Sequence, residues 1–148
     1  MSSKIILIVE DNADDERLTL RVLKKEGIPN EVVVVRDGAE ALDYLFATGA
    51  HQGRSHDRMP QLVLLDMKLP KIDGLGVLQR LRADERTRLL PVVVFTSSRE
   101  EKGLVESYKL GANSYVCKPV DFDQFAAAVR QVAMYWLGLN ESAPPTKT

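Results

Sequence analysis

Four short apolar runs recur along this chain without any alternation of polar residues. Most of their residues are β-branched, a composition that favours strands. A strand with one face in water alternates polar and apolar residues, whereas a strand covered on both faces is apolar throughout. The runs therefore predict strands buried in a parallel sheet, and they lie at Ile5–Val9, Val32–Val35, Leu62–Leu65 and Val92–Phe95.

Segments with helical spacing separate these runs, and a weaker fifth strand is predicted at Ser114–Cys117. Parallel strands need a crossover of about a dozen residues or more, which these segments provide. The last helix is the clearest, because it follows the N-cap residue Asp121 and keeps apolar residues at helical steps as far as Leu137. We expect an α/β fold with a five-stranded parallel sheet, the flavodoxin-like strand order 2-1-3-4-5 and helices on both faces.

Length and charge limit the classes of function. The chain has 148 residues, 45% of them hydrophobic, which suits one core. Its 20 basic and 21 acidic residues nearly cancel, so no net field favours nucleic acid. No apolar run approaches the roughly 20 residues of a membrane span, and the amino terminus lacks the pattern of a secretory signal. We therefore expect a cytoplasmic protein that binds neither nucleic acid nor membrane.

The domain organisation follows from the same patterns. We expect residues 1–139 to form one domain with an extended last helix and no output domain. Residues 140–148 are predicted to be a flexible tail, because Pro144 and Pro145 stop any helix.

Polar residues end nearly every predicted strand. Glu10 and Asp11 follow the first, Asp66 the third and Lys118 the fifth, while Thr96 comes at the end of the fourth. In an open parallel sheet, ligands bind outside the carboxyl ends of the strands. These side chains are therefore expected to converge at one edge.

The chemistry of this set indicates phosphoryl transfer. Carboxylates brought together repel one another unless a cation neutralises them, and oxygen donors without a cysteine or histidine cluster suit Mg2+. We expect Asp11 and Asp66 as direct ligands and Glu10 as a ligand through water. Lys118 and Thr96 supply a charge and a hydroxyl for phosphoryl oxygens. Asp66, directly after an apolar strand, is the expected nucleophile, although helix capping would explain Glu10 or Asp11 taken singly.

In their order and spacing, these motifs resemble the receiver domains of two-component response regulators. The resemblance covers nearly all of residues 4–138. The motifs that carry it are Ile8-Val9-Glu10-Asp11-Asn12, Leu64-Leu65-Asp66-Met67-Lys68-Leu69-Pro70, Asp73-Gly74, Pro91-Val92-Val93-Val94-Phe95-Thr96, Gly111-Ala112 and Tyr115-Val116-Cys117-Lys118-Pro119.

The resemblance implies a phosphoacceptor and a metal site. Asp66 would take a phosphoryl group from a phosphohistidine on a sensor histidine kinase. Mg2+ would be held by Asp11, Asp66 and the main-chain carbonyl of Lys68, with Glu10 on metal-bound water. Thr96 and Lys118 would then bind the phosphoryl oxygens.

The resemblance also implies a switch. Thr96 would move toward the phosphoryl group while Tyr115 turns inward, which reshapes the surface around the fourth helix, fifth strand and fifth helix. The protein would then either signal to a target through this surface or pass the phosphoryl group on to another protein. Lys68 and Ser98 would border the path of attacking water and set the phosphoryl lifetime. Without the other motifs, the favoured interpretation of Tyr115 would be a half-buried strand aromatic.

A narrower resemblance is to the small stand-alone regulators that accompany bacterial and cyanobacterial phytochrome kinases. It rests on the long loop before the third strand, the absence of an output domain and the Tyr135-Trp136-Leu137 end of the last helix. A phytochrome kinase is therefore the expected partner. The apolar face of that helix, reaching Trp136 and Leu139, also suggests a homodimer, with packing on the chain's own sheet or tail as the alternative.

Three other functions are weighed against a signalling receiver that is not an enzyme. An aspartate-nucleophile phosphatase typically carries a second Asp two residues on, where this chain has Lys68. A flavin carrier needs a hydroxyl- and glycine-rich phosphate loop, but acids follow the first strand here. A docking module that is never phosphorylated would not need the full set of phosphorylation residues.

Overall fold

The computed structural model describes residues 4–55 and 58–143. Its strands are β1 (Ile5–Val9), β2 (Glu31–Val35), β3 (Leu62–Leu65), β4 (Val92–Thr96) and β5 (Ser114–Cys117). Its α-helices are α1 (Ala13–Lys25), α2 (Gly38–Phe46), α3 (Gly74–Ala83), α4 (Glu101–Lys109) and α5 (Phe122–Met134). The strands are parallel and lie in the order β2-β1-β3-β4-β5, which confirms the predicted fold and strand order.

Two strands extend one residue beyond their apolar runs. Glu31 begins β2 because it pairs with Ile5 of β1, and Thr96 ends β4 because it pairs with Cys117 of β5. Backbone pairing sets both limits, and a pattern of side-chain polarity does not report it. The extension of β4 brings Thr96 into the sheet itself, where its side chain is fully buried.

Two hydrophobic clusters cover the two faces of the sheet. Alternate residues of β1 point to opposite sides, as the pleat requires. Leu7 and Val9 join a cluster with residues of α2 and α3, while Ile6 and Ile8 join one with residues of α1 and α5. With both faces packed, the carboxyl edge of the sheet is left for polar groups.

The last helix continues beyond α5 as a π-helical turn at Tyr135–Leu139. Trp136 and Leu137 are partly buried against the core on the α1 side. This contact corresponds to the predicted alternative to a dimer, in which the apolar face packs within its own chain. The apolar side chains that remain exposed near this end are Met134, Tyr135 and Leu139. Residues 144–148 of the predicted tail lie outside the described residues. Among the described residues, no helix is long and apolar enough to cross a membrane.

Gly74 brings the start of α3 against the end of β3. Its N–H donates to the Met67 carbonyl at 2.9 Å. A Cβ at this position would lie 2.5 Å from the Asp66 carbonyl oxygen and 2.7 Å from the Met67 Cα. These are backbone atoms that cannot rotate away, so the close approach requires glycine. The approach fixes the chain directly after Asp66.

Replacing this glycine tests the close approach. Gly74→Ala is expected to lower the free energy of unfolding by about 1–3 kcal/mol, the usual cost of overpacking. Gly103→Ala in α4 is the control, because its Cβ would meet only the Met67 Cε at 3.7 Å. That variant is expected to be neutral or to gain up to about 1 kcal/mol. Denaturant unfolding measures both, and equal values would contradict the requirement for glycine at position 74.

Candidate functional site

Backbone pairing continues past the strand ends at the carboxyl edge of the sheet. The Asp66 N–H donates to the Val9 carbonyl at 3.1 Å, and the Lys118 N–H donates to the Thr96 carbonyl at 2.7 Å. Each loop is thereby held beside its neighbour. The polar side chains brought together here are Glu10, Asp11, Asp15, Asp66, Thr96 and Lys118.

Lys118 lies at the centre of the site. Its ammonium donates to Glu10 Oε1 at 2.6 Å, to Asp66 Oδ2 at 2.8 Å and to Asp15 Oδ2 at 2.9 Å. An ammonium has three protons, so each proton has a carboxylate partner. Burial by itself lowers the pKa of Lys118, but the bonds to these carboxylates outweigh it and raise the pKa above its usual value. The buried lysine is therefore charged.

Asp66 accepts hydrogen bonds on both carboxylate oxygens. In addition to Lys118 on Oδ2, the Thr96 hydroxyl donates to Oδ1 at 2.7 Å and the Lys68 backbone N–H donates to Oδ1 at 3.2 Å. Burial by itself raises the pKa of Asp66, but the bonds from Lys118 and Thr96 together hold it below its usual value. Asp66 is therefore a buried, ionised carboxylate, the form in which it can act as a nucleophile.

Glu10 has the opposite balance. Its carboxylate accepts from Lys118 and from the Asn12 N–H at 3.1 Å. Burial outweighs these bonds and raises the pKa of Glu10 to about 7. Burial thus favours the neutral form of Glu10, and an added cation would favour the ionised form.

Glu10, Asp11 and Asp66 fit a divalent cation. One carboxylate oxygen of each lies within 4.8 Å of the others. Oxygen donors of this kind suit Mg2+, which usually keeps several waters when a protein binds it. Asp11 is exposed and leaves the site open to a hydrated ion, whereas Glu10 and Asp66 are buried. The three predicted acids are therefore brought together.

The residues assigned to the phosphoryl lifetime lie at the border of the site. Lys68 contributes its backbone N–H to Asp66, while its side chain is exposed. Ser98 is half-buried, and its N–H donates to the Thr96 hydroxyl oxygen at 3.3 Å. Their effect on lifetime stays a prediction.

Tyr115 is linked to the site through Ser98. Its hydroxyl donates to the Ser98 carbonyl at 3.1 Å, and its ring packs against the core on the α3 side. Tyr115 is thus already turned toward the loop that follows Thr96. Movement of Thr96 and Tyr115 as a switch stays a prediction.

Asp15 is a site residue that the sequence patterns did not reveal. It lies in the first turn of α1, where an acid is ordinary because it favours the helix dipole. Its position, three residues after the N-cap residue Asn12, is one from which an acidic side chain can bond back to the N-cap N–H, so the sequence favours a capping role. In the structure, Glu10 accepts from the Asn12 N–H instead. The Asp15 carboxylate is left to bind Lys118.

The comparisons with known proteins agree with this geometry. The profile of the response regulator receiver domain family matches residues 6–130. A curated relative, the probable methanogenesis regulatory protein FilR2 of Methanothrix harundinacea, is 40% identical over 95% of this chain and 88% of its own length. The chain therefore belongs to the response regulator receiver domain family, whose members are signalling proteins of two-component systems.

Solved structures narrow the likeness to phytochrome systems. The phosphorylated cyanobacterial phytochrome response regulator RcpA superposes with a TM-score of 0.90 at 37% identity, covering 97% of this chain and all of RcpA. The bacteriophytochrome response regulator AtBRR is 52% identical with a TM-score of 0.75, covering 95% of this chain and all of AtBRR. The Mn2+-bound form of Rcp1, a Synechocystis response regulator, is 34% identical with a TM-score of 0.89, covering 95% of this chain and 99% of Rcp1. The chain is thus homologous to response regulators of phytochrome systems.

Proposed function

We propose that this protein accepts a phosphoryl group on Asp66 from the phosphohistidine of a sensor histidine kinase, in a reaction that depends on Mg2+. The observation that carries the proposal is the Asp66 carboxylate, which is buried and ionised between Lys118 and Thr96. The acids Glu10 and Asp11 lie beside it. Phosphoryl transfer needs mainly positioning and charge neutralisation, and this arrangement offers both.

The transfer is a single displacement. A bond forms between an Asp66 oxygen and phosphorus as the bond from phosphorus to the kinase imidazole nitrogen breaks, and the electron pair leaves on that nitrogen. Asp11, Asp66 and the main-chain carbonyl of Lys68 would hold Mg2+, with Glu10 on metal-bound water, and the ion would supply positive charge for the phosphoryl oxygens. Lys118 and Thr96, one on each oxygen of Asp66, stabilise the rest of the charge. Position 68, two residues after Asp66, holds an exposed lysine, which disfavours a phosphatase with a general acid there.

The proposed output surface surrounds α4, β5 and α5. Exposed apolar side chains there are Val105, Tyr108 and Phe122. Such side chains suit a target that binds one state of the switch made by Thr96 and Tyr115. The partner that we propose on the input side is a phytochrome kinase, since RcpA and AtBRR are response regulators of phytochrome systems. Residues 1–139 would act in the cytoplasm as a single domain.

Phosphorylation by a small donor tests the phosphoacceptor. Wild-type protein incubated with acetyl phosphate and Mg2+ is expected to gain one phosphoryl group by intact-mass analysis. Asp66→Asn and a chelator control are expected to gain none, because each removes the nucleophile or the cation. A wild type that binds Mg2+ but never gains the adduct would contradict the proposal and favour a docking module.

Lys68 is expected to slow loss of the phosphoryl group. Its exposed ammonium lies beside the path of attacking water and attracts the phosphoryl oxygens. Lys68→Asn is expected to raise the decay rate about twofold, the factor that follows from roughly 0.5 kcal/mol for an exposed charge. Lys71→Asn is the control, because Lys71 faces Asp37 at 3.6 Å and asparagine tolerates its φ of 68°. Equal decay of radiolabelled wild type and Lys68→Asn would refute the effect.

A homodimer through the end of α5 is part of the proposal. Leu139 is 78% exposed, and Met134 and Tyr135, in the preceding helical turn or so, are 59% and 49% exposed. Sedimentation velocity at micromolar concentration is expected to give a dimer for wild type and a monomer for Leu139→Lys, because a charge there opposes burial. A monomeric wild type would favour the alternative, in which Trp136 and Leu137 use this apolar surface within one chain.

A further inference from the structure

The third partner of Lys118 comes from outside the predicted site. Asp15 Oδ2 accepts from the Lys118 ammonium at 2.9 Å, and the Asp15 side chain is 29% exposed. The described acids that could together hold a metal ion are Glu10, Asp11 and Asp66, and Asp15 is not among them. Asp15 therefore contacts the lysine without belonging to the candidate metal ligands.

The backbone of Asp15 is held at both ends. Its N–H donates to the Asn12 side chain at 2.9 Å, and its carbonyl accepts from the buried Thr19 hydroxyl at 2.8 Å. The first turn of α1 is thus anchored, and the carboxylate projects from a fixed point. Because the Asn12 N–H is already bonded to Glu10, no capping bond competes for that carboxylate.

Lys118 and a divalent cation compete for the same two acids. Glu10 and Asp66 each bind Lys118, and both belong to the candidate metal group. A buried ammonium that loses a partner must find another, since an unpaired buried charge is costly. Asp15 offers a partner that the cation does not need.

We propose that Asp15 is a positioning residue that holds Lys118 from the α1 side and thereby leaves Glu10 and Asp66 available to Mg2+. The inference rests on the proposed function, because it assigns Mg2+ to the acidic group. Loss of the Asp15 charge drives Lys118 onto Glu10 and Asp66 and removes a negative charge near the cation. Because both effects weaken Mg2+ binding, loss of the Asp15 charge is expected to lower the affinity for Mg2+.

Calorimetric titration of the metal-free protein with MgCl2, at fixed pH and ionic strength, tests this role. Asp15→Asn is expected to bind Mg2+ about fivefold more weakly than wild type, a change typical of one partly exposed charge. Asp14→Asn is the matched control and is expected to change affinity less than about twofold. Asp14 belongs to the same helical turn and carries the same charge, but it pairs with Arg17 at 3.2 Å instead of Lys118.

A double-mutant cycle separates action through Lys118 from a general structural effect. In a Lys118→Gln background, Asp15→Asn is expected to weaken Mg2+ binding clearly less than it does in wild type, because only the direct effect of the lost charge remains. Asp15→Glu, which keeps the charge on the same helical turn, is expected to recover most of the wild-type affinity. Thermal unfolding without metal checks that each variant is folded. If Asp15→Asn does not fold, the comparison of Asp15→Glu with wild type still tests the role of the carboxylate.

The outcomes distinguish the inference from the proposed function. A wild type that binds no Mg2+ would overturn both. A wild type that binds Mg2+, with Asp15→Asn equal to Asp14→Asn, would overturn the role of Asp15 alone. An Asp15→Asn effect that persists undiminished in the Lys118→Gln background would also overturn it.

Discussion

The arrangement of the site depends on the buried ammonium of Lys118, because its hydrogen bonds hold the acidic side chains together at the carboxyl edge of the sheet. Lys118 follows β5 at one border of the sheet, yet it bonds to Glu10 after β1 and to Asp66 after β3. Its side chain therefore spans the ends of the strands that lie between. Moving an ammonium out of water costs several kcal/mol, and only well-placed partners offset this. The cluster is stable because each proton of the ammonium has a carboxylate.

The same cluster contains more negative charge than one lysine can neutralise. Glu10, Asp15 and Asp66 bond to Lys118, and Asp11 lies beside Glu10 and Asp66, so four acids share the site with one lysine. Burial raises the pKa of Glu10 to about 7, while hydrogen bonds from Lys118 and Thr96 outweigh burial at Asp66 and hold its pKa below the usual value. The excess negative charge favours binding of a divalent cation. Lys118 thus neutralises part of the negative charge of the site, and a divalent cation would neutralise the rest.

The sequence alone predicted the sheet and the convergence of polar residues at its carboxyl edge, because both follow from strand ends. An apolar run gives the strand, and the polar residue that follows lies at the carboxyl edge whatever the details of packing. Asp15 could not be predicted in this way, because a first-turn acid is common and its contact depends on where the start of α1 lies relative to Lys118, the residue after β5. The contacts of the loop after α2 could not be predicted either, because its sequence shows only that it is polar. In the structure, Arg54 donates to the Tyr44 and Arg58 carbonyls, both at 2.7 Å, and stacks over the Tyr44 ring.

Hydrogen bonds give the proposed switch a continuous path from Asp66 to Tyr115. The Thr96 hydroxyl donates to Asp66 at 2.7 Å and accepts from the Ser98 N–H at 3.3 Å, while the Ser98 carbonyl accepts from Tyr115 at 3.1 Å. A hydroxyl has one proton, so Thr96 cannot donate to a phosphoryl oxygen and keep its present bond to Asp66. Any reorientation of Thr96 changes the acceptor that Ser98 meets, and Ser98 in turn holds Tyr115. In the proposed switch, one group added at Asp66 would act on the Tyr115 ring through these bonds, with no rearrangement of the sheet required.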